Sequence, residues 1–456
     1  MMEKTLTAQA AVSKRNLLMF LLPSLAGVLL FMTPVSYNGD LTIMIAVLAK
    51  SLQAVLADWL TTIVTGLIAL SALLSLLTSL FKPAFVTRSL FLNTLFNVRP
   101  VWLVSRLLGA AFVLMVFTQS GPELLHSGDT GGLVLNDLLP VLFAVFIFAG
   151  LLLPLLLDFG LLEFVGTLLT GLMRPVFRLP GRSAVDCMAS WLGDGSVGIL
   201  LTSKQYEGHH YTQREAAVIG TTFSAVSITF SLVVLAQVKL EHMFLSFYLA
   251  VCLAGIVAAI VVPRLPPLCW KKDTFINGES RPAGDENTPA GYSRLSHGYA
   301  LALARAGKVN SMGQVVRTGV HNALDMLFGV LPVVMAFGTL ALVVAETTPL
   351  FTWLGLPFVP LLELLQIPEA AAASETIVVG FADMFIPAIL ATSIESDMTR
   401  FVIAALSVTQ LIYMSEVGAL LLGSKIPVNI VELFVIFLLR TLVTLPVIAL
   451  IAHLVF

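Results

Sequence analysis

Five carboxylates lie in or beside stretches of the chain that are otherwise almost entirely apolar. They are Asp186, Asp194, Glu375, Asp383 and Glu416. No Lys or Arg lies in the same stretches to pair with them, and a charged side chain at the centre of a membrane costs about 2.5–3.5 kcal/mol on insertion scales. Such an acid must be protonated, or neutralised by a bound cation or an ammonium group. The residues therefore predict coupling to Na⁺ or H⁺, a solute that bears a positive group, or both.

Four of these acids belong to two polar segments, residues 186–203 and 375–393, which interrupt apolar sequence. Each segment is short for a membrane-spanning helix and ends in a Thr-Ser pair. The residues that permit a break are Gly193, Gly195 and Gly198 in the first segment and Gly380 and Pro387 in the second. A broken helix in lipid exposes backbone N–H and C=O groups, so it is tolerated only where protein or a watered cavity covers it. We therefore predict two re-entrant hairpins whose freed backbone groups and helix dipoles can coordinate an ion or a zwitterion.

The acids of the two segments are our candidates for cation coupling. A simpler interpretation stays open for each of them: an acid at the membrane surface merely faces water. In the helix after the second segment, Gln410 and Glu416 cannot bond back to a helix carbonyl as Ser and Thr do, so they are better candidates for solute contacts. The residues assigned to cation coupling are Asp186, Asp194, Glu375 and Asp383.

The composition bounds the class of protein. The chain has 456 residues, of which 58% are hydrophobic and 11% are charged, which excludes disorder and is too apolar for a soluble domain. Several apolar runs are long enough to cross about 30 Å of hydrocarbon. They are residues 17–32, 59–81, 101–117, 138–157, 243–262, 326–344, 401–422 and 428–450. We predict an all-α polytopic membrane protein whose first run is a spanning helix rather than a signal peptide.

Motifs of other functional classes are absent from the sequence. It contains no nucleophile elbow, P-loop, HExxH or paired-cysteine motif, and its three cysteines lack metal-ligand spacing. We therefore predict that the chain is not an enzyme, needs no cofactor other than a coupling ion, holds no structural metal and binds no nucleic acid.

The distribution of Lys and Arg predicts the orientation in the membrane. Basic residues cluster at the N-terminus and in residues 82–106, 174–182 and 264–317, whereas residues 121–137 and 346–369 contain none. We place the basic group, and with it the N-terminus, on the cytoplasmic side of a bacterial cytoplasmic (inner) membrane.

The two halves of the chain repeat the same landmarks in the same order. The matched pairs are Pro140 with Pro332, Pro180 with Pro368, Asp194 with Asp383, Thr202 with Thr392 and Arg214 with Arg400. The first hairpin is entered from the basic side and the second from the side without Lys or Arg, so we predict inverted repeats related by a two-fold axis in the membrane plane. The predicted units are N-terminal scaffold helices (1–120), a first repeat (137–263), a cytoplasmic linker (264–312) and a second repeat (313–456).

Two segments between the repeats are not typical of a membrane span. Residues 271–310 are rich in charge, Gly and Pro, which favours a flexible tether. Residues 312–325 are amphipathic, which predicts a helix along the cytoplasmic surface.

Part of the first half resembles a known family. The stretch WLGDGSVG at 191–198, the Thr202-Ser203 pair, Tyr206 and TQREAA at 212–217 are similar to the Gate, or "nucleoside recognition", domain of YjiH-type bacterial membrane proteins. The hairpin-and-helix repeat is similar, more distantly, to that of concentrative nucleoside transporters. The resemblance implies that two hairpin tips and two partly broken helices hold a small solute while Na⁺ or H⁺ drives uptake, and that the protein forms a homo-oligomer.

The resemblance also implies which positions line the site. Carried onto this sequence, the substrate-binding residues are Asp194, Ser196, Thr202, Ser224, Ser227, Asp383, Thr392, Gln410, Ser415 and Glu416. The expected function is secondary active transport, by alternating access, of a nucleoside, an amino acid or a dipeptide. Two alternatives remain: a cation or divalent-metal permease, and a non-transporting scaffold for envelope maturation.

Overall fold

The computed structural model describes residues 14–31, 33–37, 40–192, 195–223, 228–282, 289, 291–309 and 311–456. Regular structure in this part of the chain is helical except for one antiparallel sheet, β1 (Pro34–Tyr37) with β2 (Asp40–Ile43), and an isolated β-bridge. Within it, 7 helical segments are long and apolar enough to cross a membrane. They are Lys14–Phe31, Leu60–Phe81, Pro100–Phe117, Glu123–Leu157, Phe244–Arg264, Met312–Thr347 and Ile430–Val455. The prediction of an all-α polytopic membrane protein is confirmed.

The N-terminal helices pack against both the first and the second half of the chain. They are α1 (Lys14–Phe31), α2 (Met44–Leu56), α3 (Leu60–Phe81), α4 (Ala84–Thr87), α5 (Leu90–Phe96), α6 (Pro100–Phe117), α7 (Glu123–His126) and α8 (Gly131–Leu133). At the crossing of α6 with the second half, a Cβ on Gly109 would lie 2.1 Å from the carbonyl oxygen of Pro332. Only glycine permits this backbone contact, which anchors α6 to the second half.

The first half contains a helical hairpin followed by a short helix. After a π-helical turn (Val134–Leu138) its helices are α9 (Leu139–Leu152), α10 (Pro154–Leu157), α11 (Leu161–Phe177), α12 (Ser183–Leu192), α13 (Gly195–Glu207), α14 (Gln213–Thr222), α15 (Ile228–Gln237) and α16 (Phe244–Val261). The arms α12 and α13 pack on each other, and a Cβ on Gly198 would lie 2.6 Å from Cβ of Ser190, so glycine lets the arms approach. A capping box of Thr212 and Glu215 begins α14.

The second half repeats this order of elements. Its helices are α18 (Met312–Gly329), α19 (Leu331–Thr347), α20 (Leu350–Gly355), α21 (Val359–Leu364), α22 (Ala370–Ile377), α23 (Ile386–Ala391), α24 (Asp397–Gln410), α25 (Val417–Gly423) and α26 (Ile430–Val455). The arms α22 and α23 are shorter than α12 and α13, and a 3₁₀ turn (Val379–Phe381) lies between them. The apolar run 401–422 is divided between two helices, because α24 ends at Gln410 and α25 begins at Val417, in keeping with the partly broken helix expected after the second hairpin.

The segment between the halves is more regular than predicted. The expected flexible tether contains α17 (Arg294–Gly307), capped by Ser293, which buries Ala302, Leu303 and Ala306 against α1 and α11. These apolar residues recur at helical spacing, a signal that the polar average of the segment conceals. The predicted surface helix also differs: α18 packs along α9, where a Cβ on Gly319 would lie 2.4 Å from the carbonyl oxygen of Leu151.

Candidate functional site

The second hairpin and the broken helix that follows it are joined through their backbones. The helical hydrogen-bond ladder of α24 ends at Gln410, and residues 411–416 are not helical, beginning with Leu411, whose φ is +66°. The freed N–H of Met414 donates to the carbonyl of Phe381 at 2.7 Å, and that of Ser415 donates to Ala382 at 2.9 Å. The turn of the hairpin therefore accepts hydrogen bonds from two backbone N–H groups that the broken helix leaves free. A break inside a membrane requires such partners.

Asp383 lies at this joint. Its carboxylate accepts a hydrogen bond from the Ser415 hydroxyl at 2.6 Å and one from the backbone N–H of Phe385 at 2.7 Å. Ser415 is fully buried and Asp383 is partly exposed. Two predicted site residues, 32 positions apart in sequence, are thus in direct contact, and the carboxylate retains acceptor capacity for a ligand.

Gln410 and Glu416 flank the broken stretch. The buried Gln410 amide donates to the carbonyl of Ile377 at 3.0 Å and to the hydroxyl of Thr441 at 2.9 Å, so it ties α24 to the hairpin and to α26. Glu416 is partly exposed and accepts a hydrogen bond from the Tyr413 hydroxyl at 3.1 Å.

The structure does not bring two predicted residues into this joint. Glu375 is exposed on α22. Thr392 is exposed after α23, and its hydroxyl donates back to the carbonyl of Ile389 at 2.6 Å. Its counterpart Thr202 is buried, so the Thr-Ser pairs that end the two hairpins differ in environment.

Asp186, in the first hairpin, is buried within a cluster of neutral donors. Its carboxylate accepts hydrogen bonds from Tyr211 at 2.9 Å, Gln205 at 3.0 Å and Thr202 at 3.1 Å, and only 1% of Asp186 is exposed. Among the described residues, no Lys or Arg forms an ion pair with it; Arg182 pairs with Glu163 at 3.3 Å. Three donors therefore stabilise the acid in place of a counter-ion.

Of the remaining predicted residues, only Ser196 is among those that the structure describes. Ser196 is buried on α13. Asp194, Ser224 and Ser227 lie outside the described residues. The indole N–H of Trp191, on α12, donates to the carbonyl of Phe223 at 3.3 Å, which connects the first hairpin to the end of α14.

A buried arginine joins the two halves, and sequence reasoning missed it. The guanidinium of Arg440, on α26, donates to the carbonyls of Thr409 (Nε at 3.0 Å and Nη2 at 2.6 Å), Gln410 (3.1 Å), Thr222 (3.0 Å) and Thr221 (3.4 Å). These are the last two residues of α14 and of α24. Only 2% of Arg440 is exposed. We call this cluster of one guanidinium and four carbonyls the Arg440 junction.

The signal for this residue was present in the sequence. Arg440 is a lone basic residue within the apolar run 428–450, and an ionisable residue in such a place is a functional candidate by default. The prediction of the site was based on the acids and left Arg440 out. Its partners could not be read from the sequence, because they are backbone carbonyls some 30 and 219 positions away.

A charged cavity lies beside the hairpin of the first half. Its volume is about 620 Å³, and its walls come from α5, α13, α18 and the α25–α26 connection. Its charged lining residues are Arg88, Lys204, Glu207, Arg317, Asp325 and Lys425. Lys204 pairs with Asp325 at 2.6 Å and with Glu207 at 3.2 Å. The basic lining residues outnumber the acidic ones, which favours a solute with a carboxylate.

Comparison with known proteins agrees with this architecture. The family described as "Gate: Nucleoside recognition" matches residues 139–241, which run from α9 through the first hairpin to just beyond α15. A protein of Alkalihalophilus pseudofirmus (strain OF4), itself uncharacterised, is 50% identical over 448 residues, which cover 98% of this chain and 96% of that protein. No solved structure matches the chain. The fold and the matched segment define a transporter-like, multi-pass membrane protein. The chain belongs to the same family as the A. pseudofirmus protein and is a Gate-domain membrane protein, as the sequence resemblance predicted.

Proposed function

We propose that this protein is a secondary active transporter of a small polar solute, coupled to Na⁺ or H⁺. The observation that carries the proposal is the contact of Asp383 with Ser415 where a hairpin turn meets a broken helix. Broken helices in membranes place free backbone groups and half-helix dipoles around a solute. The acid adds a partner for an ammonium group, so an amino acid or a dipeptide fits this site better than a neutral nucleoside.

The order of elements supports two repeats that act as a pair. Each half contains a hairpin followed by two helices: α12 to α15 in the first, α22 to α25 in the second. The ends of α14 and α24 meet at one guanidinium. This convergence supports the repeat boundaries 137–263 and 313–456 and the inverted relation that the Lys and Arg distribution predicts.

We propose that alternating access uses the two hairpins, the charged cavity and the N-terminal helices. The distribution of Lys and Arg supports a cytoplasmic position for the cavity of about 620 Å³, and we propose it as a vestibule between the first hairpin and the N-terminal helices. The solute passes from it to the Asp383–Ser415 joint as the hairpins move against the scaffold helices 1–120. We place the protein in a bacterial inner membrane with its N-terminus on the cytoplasmic side, and we propose a homo-oligomer because the resemblance to concentrative nucleoside transporters implies one.

A ligand screen tests the proposal. Purified protein is heated with nucleosides, amino acids and dipeptides, with and without Na⁺ and at two pH values, and solutes that raise Tm are tested for uptake into proteoliposomes. We expect a carboxylate-bearing amine to stabilise the protein in a cation-dependent manner. Stabilisation by divalent metals alone would favour a metal permease, and no stabilisation by any solute would favour a scaffold.

Two variants separate the site from general stability. Ser415→Ala removes the donor to Asp383, whereas Ser393→Ala removes an exposed hydroxyl that only bonds back to Leu390. We expect Ser415→Ala to weaken the solute-induced rise in Tm and Ser393→Ala to leave it unchanged. An equal effect of both would count against a site at this joint.

A further inference from the structure

We infer that Arg440 is a tethered cation that takes the place of a free coupling ion between the two halves. The role of this cation in transport rests on the proposed function, and its structural basis is the Arg440 junction. The inference goes beyond the proposed coupling to Na⁺ or H⁺, because it excludes the Arg440 junction as a binding site for the free coupling ion. A mobile coupling ion must then act elsewhere, at a carboxylate such as Asp186 or Asp383.

The electrostatics of the junction define a cation site. The last carbonyls of a helix have no intrahelical partner, and the helix dipole places about half a negative charge on them. The last two carbonyls of α14 and of α24 face the same guanidinium. Two half charges sum to about one elementary charge, which one fixed positive charge offsets.

The chemistry of the ligands is that of an alkali-cation site. Carbonyl oxygens at the ends of broken helices are the groups that coordinate Na⁺ in transporters built from repeats. Here Nη1 faces the carbonyls of the first half while Nε and Nη2 face those of the second. Arg440 is held in this position by α26, where Thr441 and Thr444 donate back to the helix carbonyls of Phe437 and Arg440.

The position of the charge on a side chain has a mechanistic consequence. A free ion binds and leaves in each cycle, and so it couples its gradient to the solute. A guanidinium on a covalent tether neutralises the same carbonyls but cannot leave the protein. The junction therefore holds the ends of α14 and α24 together without an ion gradient, and Na⁺ has no role there in the natural chain.

The test removes the tether and asks whether a free cation replaces it. Arg440→Met deletes the charge and keeps an unbranched apolar side chain, while Arg440→Lys keeps a charge. The matched control is Arg106→Met, which deletes another buried arginine whose partners, Ser75 and the Leu95 carbonyl, lie in the N-terminal helices. The Tm of each protein is measured in NaCl, KCl and choline chloride at equal ionic strength, and with guanidinium chloride added at a non-denaturing concentration.

We expect the gain in Tm of the natural protein in NaCl over choline chloride to be smaller than that of Arg440→Met, because a coupling ion at Asp186 or Asp383 acts equally in both proteins. Arg440→Met is expected to lose Tm in choline chloride and to regain most of the loss with Na⁺, K⁺ or guanidinium. Arg106→Met is expected to lose Tm without any cation-specific recovery. A natural protein that Na⁺ stabilises over choline to the same extent as Arg440→Met would overturn the inference, as would an Arg440→Met protein that no cation restores.

The design keeps the inference separate from the proposed function. All readouts are Tm values without solute, so a chain that transports nothing can still show cation recovery at the junction. If Arg440→Met does not fold, Arg440→Gln, which is neutral but can still donate a hydrogen bond, is compared with the natural protein and Arg440→Lys. Its gain in Tm from Na⁺ over choline is expected to exceed the gains of those two charged proteins, and equal gains in all three refute the tethered cation.

Discussion

Replacing Tyr211 by Phe probes the environment of the buried acid in the first hairpin. The Tyr211 hydroxyl donates to Asp186 at 2.9 Å and accepts a hydrogen bond from Gln205 at 3.0 Å, and Tyr211 has no exposed surface. The substitution removes the hydroxyl and keeps the ring, so it changes hydrogen bonding with little change in packing. Asp186 retains its bonds from Thr202 and Gln205.

The expected cost depends on the charge of Asp186. A hydrogen bond to an ionised group contributes about 1.5–3 kcal/mol, and one between neutral groups about 0.5–1.5 kcal/mol. At roughly 2–4 °C per kcal/mol for a large domain, a cost of about 2 kcal/mol lowers Tm by about 4–8 °C. We expect a loss in this range, because three donors converge on a carboxylate that is 1% exposed.

In a background without the partly exposed Cys252 and Cys269, unfolding can be followed with a thiol-reactive dye, since the remaining Cys187, beside Asp186, is free and buried. The control is Tyr206→Phe, because Tyr206 is also buried and its hydroxyl forms no hydrogen bond with the residues that the structure describes. Repeating Tyr211→Phe in an Asp186→Asn background isolates the pairwise energy. An equal loss of Tm in both backgrounds, or an equal loss for Tyr206→Phe, would refute the charge-assisted cluster.

Three further predictions concern other parts of the chain. Asp383→Asn is expected to abolish the cation dependence of solute-induced stabilisation, measured by thermal shift; a retained dependence would place the coupling elsewhere. Burial and, secondarily, Arg182 lower the pKa of His210, in the α13–α14 connection, to about 3, so the unfolded chain takes up a proton below about pH 6.5 and stability falls as pH decreases. His210→Gln is expected to unfold less readily than the natural protein at mildly acidic pH and equally at neutral pH. Gly109→Val is expected to lower Tm strongly through its clash with Pro332, in contrast to Gly66→Val, whose site is open.

Much of the architecture could be predicted from local sequence. Spanning helices are visible as apolar runs of sufficient length, and the breaks at the two hairpins are visible as Gly, Pro and acids within such runs. The unwound stretch at 411–416 is different. It contains no Gly or Pro, and its departure from a helix depends on backbone pairing with Phe381 and Ala382, which no local pattern reveals.

The site could be predicted only in part, for a similar reason. The acids stand out because they are costly in an apolar run, but their partners come from distant positions. Tyr211 reaches Asp186 across 25 residues, and Arg440 reaches the end of α14 across 218. Solvent exposure also depends on distant parts of the chain. Thr392 corresponds to the buried Thr202, and Glu375 begins the second segment as the buried Asp186 begins the first. Both Glu375 and Thr392 are nevertheless exposed on their hairpin.

The measurement that tests the account most directly is the side of the membrane from which each hairpin is entered. In a variant without Cys187, Cys252 and Cys269, a single cysteine is placed before the first hairpin (Arg178→Cys) or before the second (Gln366→Cys), both exposed positions. Intact cells are treated with a membrane-impermeant maleimide and compared with lysed cells. The account predicts that Gln366→Cys is labelled in intact cells and Arg178→Cys only after lysis. Labelling of both from the same side would contradict inverted repeats, and with them the proposed alternating access.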